Sequence, residues 1–414
     1  MKELSIAQTL PGEWETIRFR YVANTSKGRL PEKLEDEPRV ETGGVPYLSM
    51  EYLRGDSEPT EFVFPNGMVT ANEGDILLLW DGSNAGEFLH AKFGAVSSTA
   101  ALLIPVKFDR SYLFWLCKGI EPVLKTFTIG MGIPHVDGEY LKDLQLPFPT
   151  DERFQKAIAD YLDRETARID ALVAEKEKML DLLEEKRAAL ISRAVTRGLR
   201  PNVPLKPSGL DWLGDIPAHW GIERAKNLFS VRDQRSELGD EELLTVSHIT
   251  GVTARSEKDV YMFQADDKAG YKLCYPGDLV INTLWGWMGA MGVTPLEGIV
   301  SPDYHVYTSK GDLLPEFVEL LCRSRPFVAE VSRWSKGVWS SRLRLYPENF
   351  FEMRLPMPPA NEQRAIVKEL ELNHSKTKVL VDTLFRSIEL AKEHRAALIT
   401  AAVTGQIPLE EMAA

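Results

Sequence analysis

Arg187-Ala-Ala-Leu-Ile-Ser-Arg-Ala-Val-Thr196 and Arg395-Ala-Ala-Leu-Ile-Thr-Ala-Ala-Val-Thr404 are nearly the same ten residues, set 208 positions apart in a chain of 414. Each closes a long run with apolar residues at alternating spacings of three and four. The first run passes through Leu162, Thr166, Ile169, Val173, Lys176, Leu180, Leu183, Arg187, Leu190 and Ala194. The second passes through Val367, Leu370, His374, Thr377, Val381, Leu384, Ile388, Ala391, Arg395, Leu398 and Ala402. Two mostly apolar positions per heptad, with charged residues between them, is the pattern of a helix with a narrow apolar seam. Neither Pro nor Gly interrupts the first run before Gly198, so it predicts one helix of roughly 60 Å at about 1.5 Å per residue. Even the polar residue on the seam recurs, as Arg187 and Arg395. The chain is an internal duplication.

The remainder repeats on the same plan. Pro217-Ala-His-Trp220 answers Pro11-Gly-Glu-Trp14, Gly277-Asp278-Leu-Val-Ile answers Gly74-Asp75-Ile-Leu-Leu, and Leu355-Pro-Met-Pro358 answers Leu146-Pro-Phe-Pro149. Helices are expected at Arg110 to Thr126 and, in the second half, Leu313 to Ser332, with short strands before each. Four segments follow: variable domains at 1–150 and 201–358, and long helices at 151–200 and 359–414. Thr150 or Asp151 can cap the first long helix. Two such helices bury their seams on each other or on a partner. Folded back within one chain they lie antiparallel, and a stiff bar of this kind can hold two domains one DNA turn (about 34 Å) or more apart.

Composition limits the options. Hydrophobic residues make up 44% and charged residues 27% of the chain, the range of globular proteins. No apolar run is long enough for a membrane span, the N-terminus lacks the apolar core of a signal peptide, and a cytoplasmic location is expected. Cys117, Cys274 and Cys322 are too scattered for a zinc site and read as reduced, buried thiols. The net charge is −12, so any nucleic acid must be met by locally gathered Lys and Arg, helped by a partner's charge. Phosphate loops, nucleophile elbows and paired metal-binding histidines are absent. The adenine methyltransferase motif and its Gly-rich cofactor turn are absent too.

The ordered repetition of the Gly-Asp strand, the Leu-Pro-x-Pro exit, the Glu362-Gln363-Arg364 helix start and the Arg-Ala-Ala-Leu-Ile helix end resembles the specificity subunit of type I restriction–modification systems, over essentially the whole chain. The first long helix departs from that start with Asp151-Glu-Arg-Phe-Gln. The resemblance implies an α+β fold with two target-recognition domains separated by an antiparallel coiled coil. It implies a non-catalytic subunit that reads split double-stranded DNA and docks two adenine methyltransferase subunits, with restriction–translocase subunits in the full complex. No cofactor is expected in this chain; S-adenosylmethionine, ATP and Mg belong to the partners. A duplicated scaffold that binds proteins is the alternative reading.

Residues for DNA contact should be polar or basic, lie in loops, and recur in both halves. Those criteria select Lys27, Arg29, Ser83, Asn84, Lys125, Thr128 and His135 in the first half. In the second they select Arg232, Gln234, Arg235, Asn282, Lys336, Ser340, Ser341, Arg342 and Arg344. Lys and Arg can pin phosphates, whereas Arg, Gln, Asn, Ser and Thr can read base edges. The plainer reading of the same loops is solvated turns and surface ion pairs. Candidates for partner binding are the seam residues Leu162, Ile169, Val173, Leu180, Leu183, Val381, Leu384 and Ile388, with Arg187 and Arg395.

Overall fold

The computed structural model describes residues 11–31, 39–55, 58–130, 132–258, 267–337 and 343–412. Two compact units emerge, one made of residues up to 176 plus those from 386, the other of 177–385. Each long helix is therefore shared between the units, a division that cuts across the four segments expected from sequence, although each variable domain falls within a single unit.

In unit 1, strand β1 (Trp14–Arg18) leads to β2 (Ala23–Lys27), β3 (Ile76–Leu79), β4 (Phe88–His90) and β5 (Ala100–Pro105). The last four form an antiparallel sheet in the order β2-β5-β3-β4. Every residue of β3 is buried, which explains why Ile76-Leu-Leu-Leu79 is a continuous apolar run and not an alternation. Helix α1 (Arg110–Thr126) follows, with Asp109 accepting from the Ser111 N–H as its cap. A short hairpin, β6 (Thr128–Ile129) with β7 (His135–Val136), comes next. Strand β8 (Gln145–Pro149) then pairs antiparallel with β1. The long helix α2 spans Glu152–Arg197, 46 residues. Asp151 caps it by accepting from the Arg153 N–H at 2.8 Å.

Unit 2 repeats this frame. Strand β9 (Gly221–Arg224) precedes β10 (Phe229–Arg232) and the hairpin of β11 (Leu244–Ser247) and β12 (Gly251–Ala254). Then come β13 (Leu279–Ile281), β14 (Met291–Val293) and β15 (His305–Ser309). The sheet order is β10-β15-β13-β14, again antiparallel throughout. The turns into β3 and β13 are built alike. Asp75 accepts from the Asn72 N–H at 2.7 Å and Asp278 from the Tyr275 N–H at 2.9 Å, around Gly74 and Gly277, both at positive φ.

One expected element differs. The second-half helix is broken into α3 (Pro315–Arg323) and α4 (Arg325–Trp334), with Ser324 extended between them. Pro326 has no N–H to continue the first helix but suits the opening turn of the second. Strand β16 (Arg354–Met357) closes the unit against β9, and α5 (Ala360–Val403), 44 residues, is the second long helix.

Within each unit the two long helices run antiparallel. In unit 1, Ile158, Ala159 and Leu162 from the start of α2 share a core with Ile399, Ala402 and Val403 from the end of α5. In the same unit the Arg395 guanidinium lies 2.8 Å from the Asp170 carboxylate. In unit 2, Ile191, Ala194 and Val195 share a core with Ile366 and Leu370. The repeated Pro-x-x-Trp has a packing reason. Trp14 and Trp220 lie against the glycines that follow the helices. A Cβ on Gly405 would sit 3.0 Å from the Trp14 ring, and one on Gly198 would sit 3.3 Å from the Trp220 ring. Both glycines have positive φ, as a helix C-cap often requires. Beyond Gly405, Ile407, Leu409 and Met412 complete the unit 1 core, a role for the tail that its sequence alone did not signal.

Candidate nucleic-acid interface

The seam residues come first, because the structure reassigns them. Leu162, Leu384 and Ile388 are buried within the chain. Ile169, Val173, Leu180, Leu183 and Val381 are half-buried along the same seam. Arg395 is paired with Asp170, and Arg187 is exposed beside Glu184 of its own helix at 3.7 Å. The seam therefore serves intrachain packing in each unit. His374 is exposed, and the half-buried Asn373 beside it donates to Glu369 of the same helix. The apolar residues left exposed lie off the seam: Leu172 and Leu390 in unit 1, and Met179, Leu182, Leu372, Val379, Leu380 and Phe385 in unit 2.

In unit 1 the structure gathers most of the candidate DNA-contact residues around one rim. Lys27 ends β2, and its ammonium meets the Asp81 carboxylate at 2.8 Å while lying 5.9 Å from the centre of the Trp80 ring. The loop that holds exposed Ser83 and half-buried Asn84 is laced to the β6–β7 hairpin. Gly82 N–H donates to the Pro134 carbonyl, Val136 N–H donates to that of Trp80, both at 2.9 Å, and Asp81 bridges His135. Lys125 stands in the last turn of α1, and the Thr128 hydroxyl donates to its carbonyl at 3.3 Å. Gly86, at positive φ, packs on the same residue: a Cβ there would lie 3.3 Å from the Lys125 nitrogen. Arg29 is exposed just beyond Lys27.

Unit 2 divides its candidates differently. Gln234 and Arg235 are exposed, with Arg235 donating to the Gly270 carbonyl and the Asp233 carboxylate, each at 3.1 Å. Lys336 and Arg344 exchange two backbone hydrogen bonds of 2.9 Å, and both residues are exposed. Ser340, Ser341 and Arg342 lie outside the described residues. Two candidates are engaged within the frame. Arg232 is bound through Nε and Nη2 to both carboxylate oxygens of Asp278, at 2.8 and 3.2 Å, and Asp278 is only 3% exposed. Asn282 is 5% exposed; its amide donates to the Tyr304 hydroxyl at 2.9 Å and its carbonyl oxygen accepts from the Leu284 N–H at 3.1 Å. Both residues hold the frame.

Sequence reasoning missed what lies beside Asn282. A cavity of about 560 Å3 opens there, lined among others by Thr245, Ser247, Lys268, Tyr271, Trp285 and Tyr304. Burial, then the neighbouring Asp303 carboxylate, raises the Tyr304 hydroxyl above its ordinary pKa. Nearby Lys272, which donates to the Tyr304 carbonyl at 2.7 Å, is lowered chiefly by burial. The lining comes from separate stretches of chain, so no short motif announced it. The three thiols are buried as read from sequence, and burial pushes that of Cys274 up to about 12.

Comparison with known proteins bears on the whole arrangement. Residues 11–180 match the family described as the type I restriction modification DNA specificity domain. The chain is 35% identical over 226 residues to the type I restriction enzyme MjaVIII specificity subunit of Methanocaldococcus jannaschii. That alignment covers 54% of this chain and 51% of the relative, so the chain spans about half the length of that protein. It is 21% identical over 392 residues to the EcoBI specificity subunit of Escherichia coli, covering 86% of this chain and 78% of that one. Among solved structures, one chain of a type I restriction–modification complex superposes with a TM-score of 0.67 at 14% identity, covering 96% of this chain and 100% of that one. The HsdS subunit from Thermoanaerobacter tengcongensis gives 0.51 at 14% identity, covering 98% and 100%. In sequence and in fold the chain is similar to type I specificity subunits.

Proposed function

From that similarity we propose that this chain is the non-catalytic, DNA-reading subunit of a type I restriction–modification complex, with one unit reading each half of a split target. The observation that carries the reading is the repeated frame with dissimilar loops. Both units use the same strand order and the same Asp-capped turn, while the loops after β3 and β13 differ in sequence and in what they contact. A protein that reads two different half-sites needs a constant support and changeable edges. Lys27, Arg29 and Lys125 in unit 1, and Arg235, Lys336 and Arg344 in unit 2, supply phosphate contacts. Ser83, Asn84, Thr128, His135 and Gln234 supply groups for base edges. Arg232 and Asn282 are left out because their side chains are committed internally.

The acidic balance of −12 fits a subunit that meets DNA inside a complex whose partners contribute positive charge. The off-seam apolar residues of the long helices, such as Met179, Val379 and Phe385, are the surface on which methyltransferase subunits dock. S-adenosylmethionine, ATP and Mg act in the partner subunits under this reading. Exchanging residues 1–150 for those of a relative tests it. One half of the methylated sequence should change while the other half and the gap stay fixed. A scaffold would leave methylation untouched, and that result rejects the reading.

A further inference from the structure

Frame, rim and seam account for most of unit 2, but not for the cavity under residues 284–288. Ala290 on its lining is buried, and behind strand β11 the Leu244 and Val246 side chains pack into the core. Its mouth exposes Trp285 at 50%, Met288 at 39% and Leu284 at 38%. Apolar side chains grouped at a surface opening and mixed with convergent polar groups mark a ligand site better than a packing fault. The volume of about 560 Å3 lies within the range that engulfs small organic ligands.

The lining specifies the ligand's chemistry. Trp285, Tyr271 and Tyr304 offer aromatic faces to a flat, unsaturated ring. Thr245 and Asp303 offer a hydroxyl and a carboxylate to a ring edge that both donates and accepts. Lys268, also on the lining, offers positive charge to an anion. A nucleotide combines these features in one small molecule: a flat base, a hydrogen-bonding edge and a phosphate. A base still stacked in a duplex cannot enter such a recess, whereas one turned out of the stack can. We propose that this cavity holds a single unstacked nucleotide of the DNA bound by unit 2, its base lying against Trp285 and its phosphate near Lys268. This rests on the DNA-reading role proposed above. Arg235 fits the placement, since its guanidinium donates to the Gly270 carbonyl beside Tyr271. The equivalent loop of unit 1 is instead laced to the β6–β7 hairpin, so the inference concerns only the half-site read by unit 2.

Two measurements test it. Calorimetric titration of the full chain with dAMP, dGMP, dCMP and dTMP should give saturable binding of at least one of them. Trp285→Ala should weaken that binding roughly tenfold, the usual loss when a base-stacking aromatic is truncated. Thermal melting of the variant confirms that the half-exposed side chain is dispensable for folding. In the assembled complex on its methylation-mapped target, a mismatch at one position of the unit 2 half-site should strengthen binding several-fold, because unpairing that base is already done. Trp285→Ala should abolish the gain. No binding of any mononucleotide together with no mismatch gain overturns the inference while leaving DNA reading intact. Mononucleotide binding without a mismatch gain overturns the DNA source and points to a free nucleotide as the ligand. Absence of any split target removes the DNA-reading role itself.

Discussion

Replacing Arg232 by Ala separates a structural arginine from a DNA-reading one. Asp278 is 3% exposed and accepts three hydrogen bonds: two from Arg232, at 2.8 and 3.2 Å, and one from the Tyr275 N–H at 2.9 Å. The substitution removes two of the three donors and leaves a buried carboxylate with one. Stranding a buried charge costs about 3–5 kcal/mol. The Arg232 side chain is 24% exposed, so water can replace part of the loss, and the low end, about 3 kcal/mol, is the working figure. For a unit of this size each kcal/mol lowers Tm by about 2–4 °C, giving a fall of about 6–12 °C by circular dichroism. The double variant Arg232→Met, Asp278→Asn, which removes both charges, should recover more than half of it. DNA binding by the folded fraction should keep its salt dependence. An unchanged Tm with a salt slope lowered by about one unit would refute the reasoning and return Arg232 to the DNA interface.

Four further outcomes are expected. Arg235→Ala and Lys336→Ala should each weaken DNA binding of the assembled complex and lower its salt slope by about one unit, measured by fluorescence anisotropy over a salt series. Glu362 loses solvation on burial, but the Trp220 N–H at 2.9 Å and His219 more than compensate, so its carboxyl is held below the usual 4.5. A depressed folded-state pKa stabilises above the unfolded value and is lost as pH falls through the folded one. The stability advantage of the wild type over Glu362→Gln should therefore be full at pH 7 and shrink below about pH 4.5 in a urea titration. Trp14 occupies the equivalent place in unit 1, where its buried Nε1 has no hydrogen-bond partner among the described residues. Trp14→Phe should then cost about 1 kcal/mol less than Trp220→Phe, which removes a donor from Glu362. Gly405→Ala should lower stability by about 2–3 kcal/mol in the same assay, combining left-handed backbone strain with crowding against Trp14 and Pro11.

The long helices were legible because a seam is a local, periodic signal: spacing alone placed Leu162 and Ile169 on one face of the first helix, and Leu384 and Ile388 on one face of the second. Periodicity could not say what the seam meets. The answer, the partner helix of the same chain, depends on pairings such as Asp170 with Arg395, 225 positions apart. The repeated Pro-x-x-Trp and the glycines after the helices were visible as text, but only the fold joined them into one contact. Among the proposed contact residues, exposure was legible where it follows from a loop, as at Ser83, Gln234 and Lys336. It was not legible where a polar residue at a strand end turns inward, as Arg232 does toward Asp278 and Asn282 toward Tyr304. The cavity was illegible for the same reason, since Thr245, Lys268, Trp285 and Tyr304 are brought together by sheet topology and not by spacing.

The central claim is that this chain chooses a split DNA sequence for methylation. Its most direct test is adenine-methylation mapping by long-read sequencing in cells with and without the gene. Two short blocks at a fixed gap should be methylated when the gene is present and lose that methylation when it is deleted. A methylation pattern unchanged by the deletion, with an active type I methyltransferase in the cell, would contradict the account.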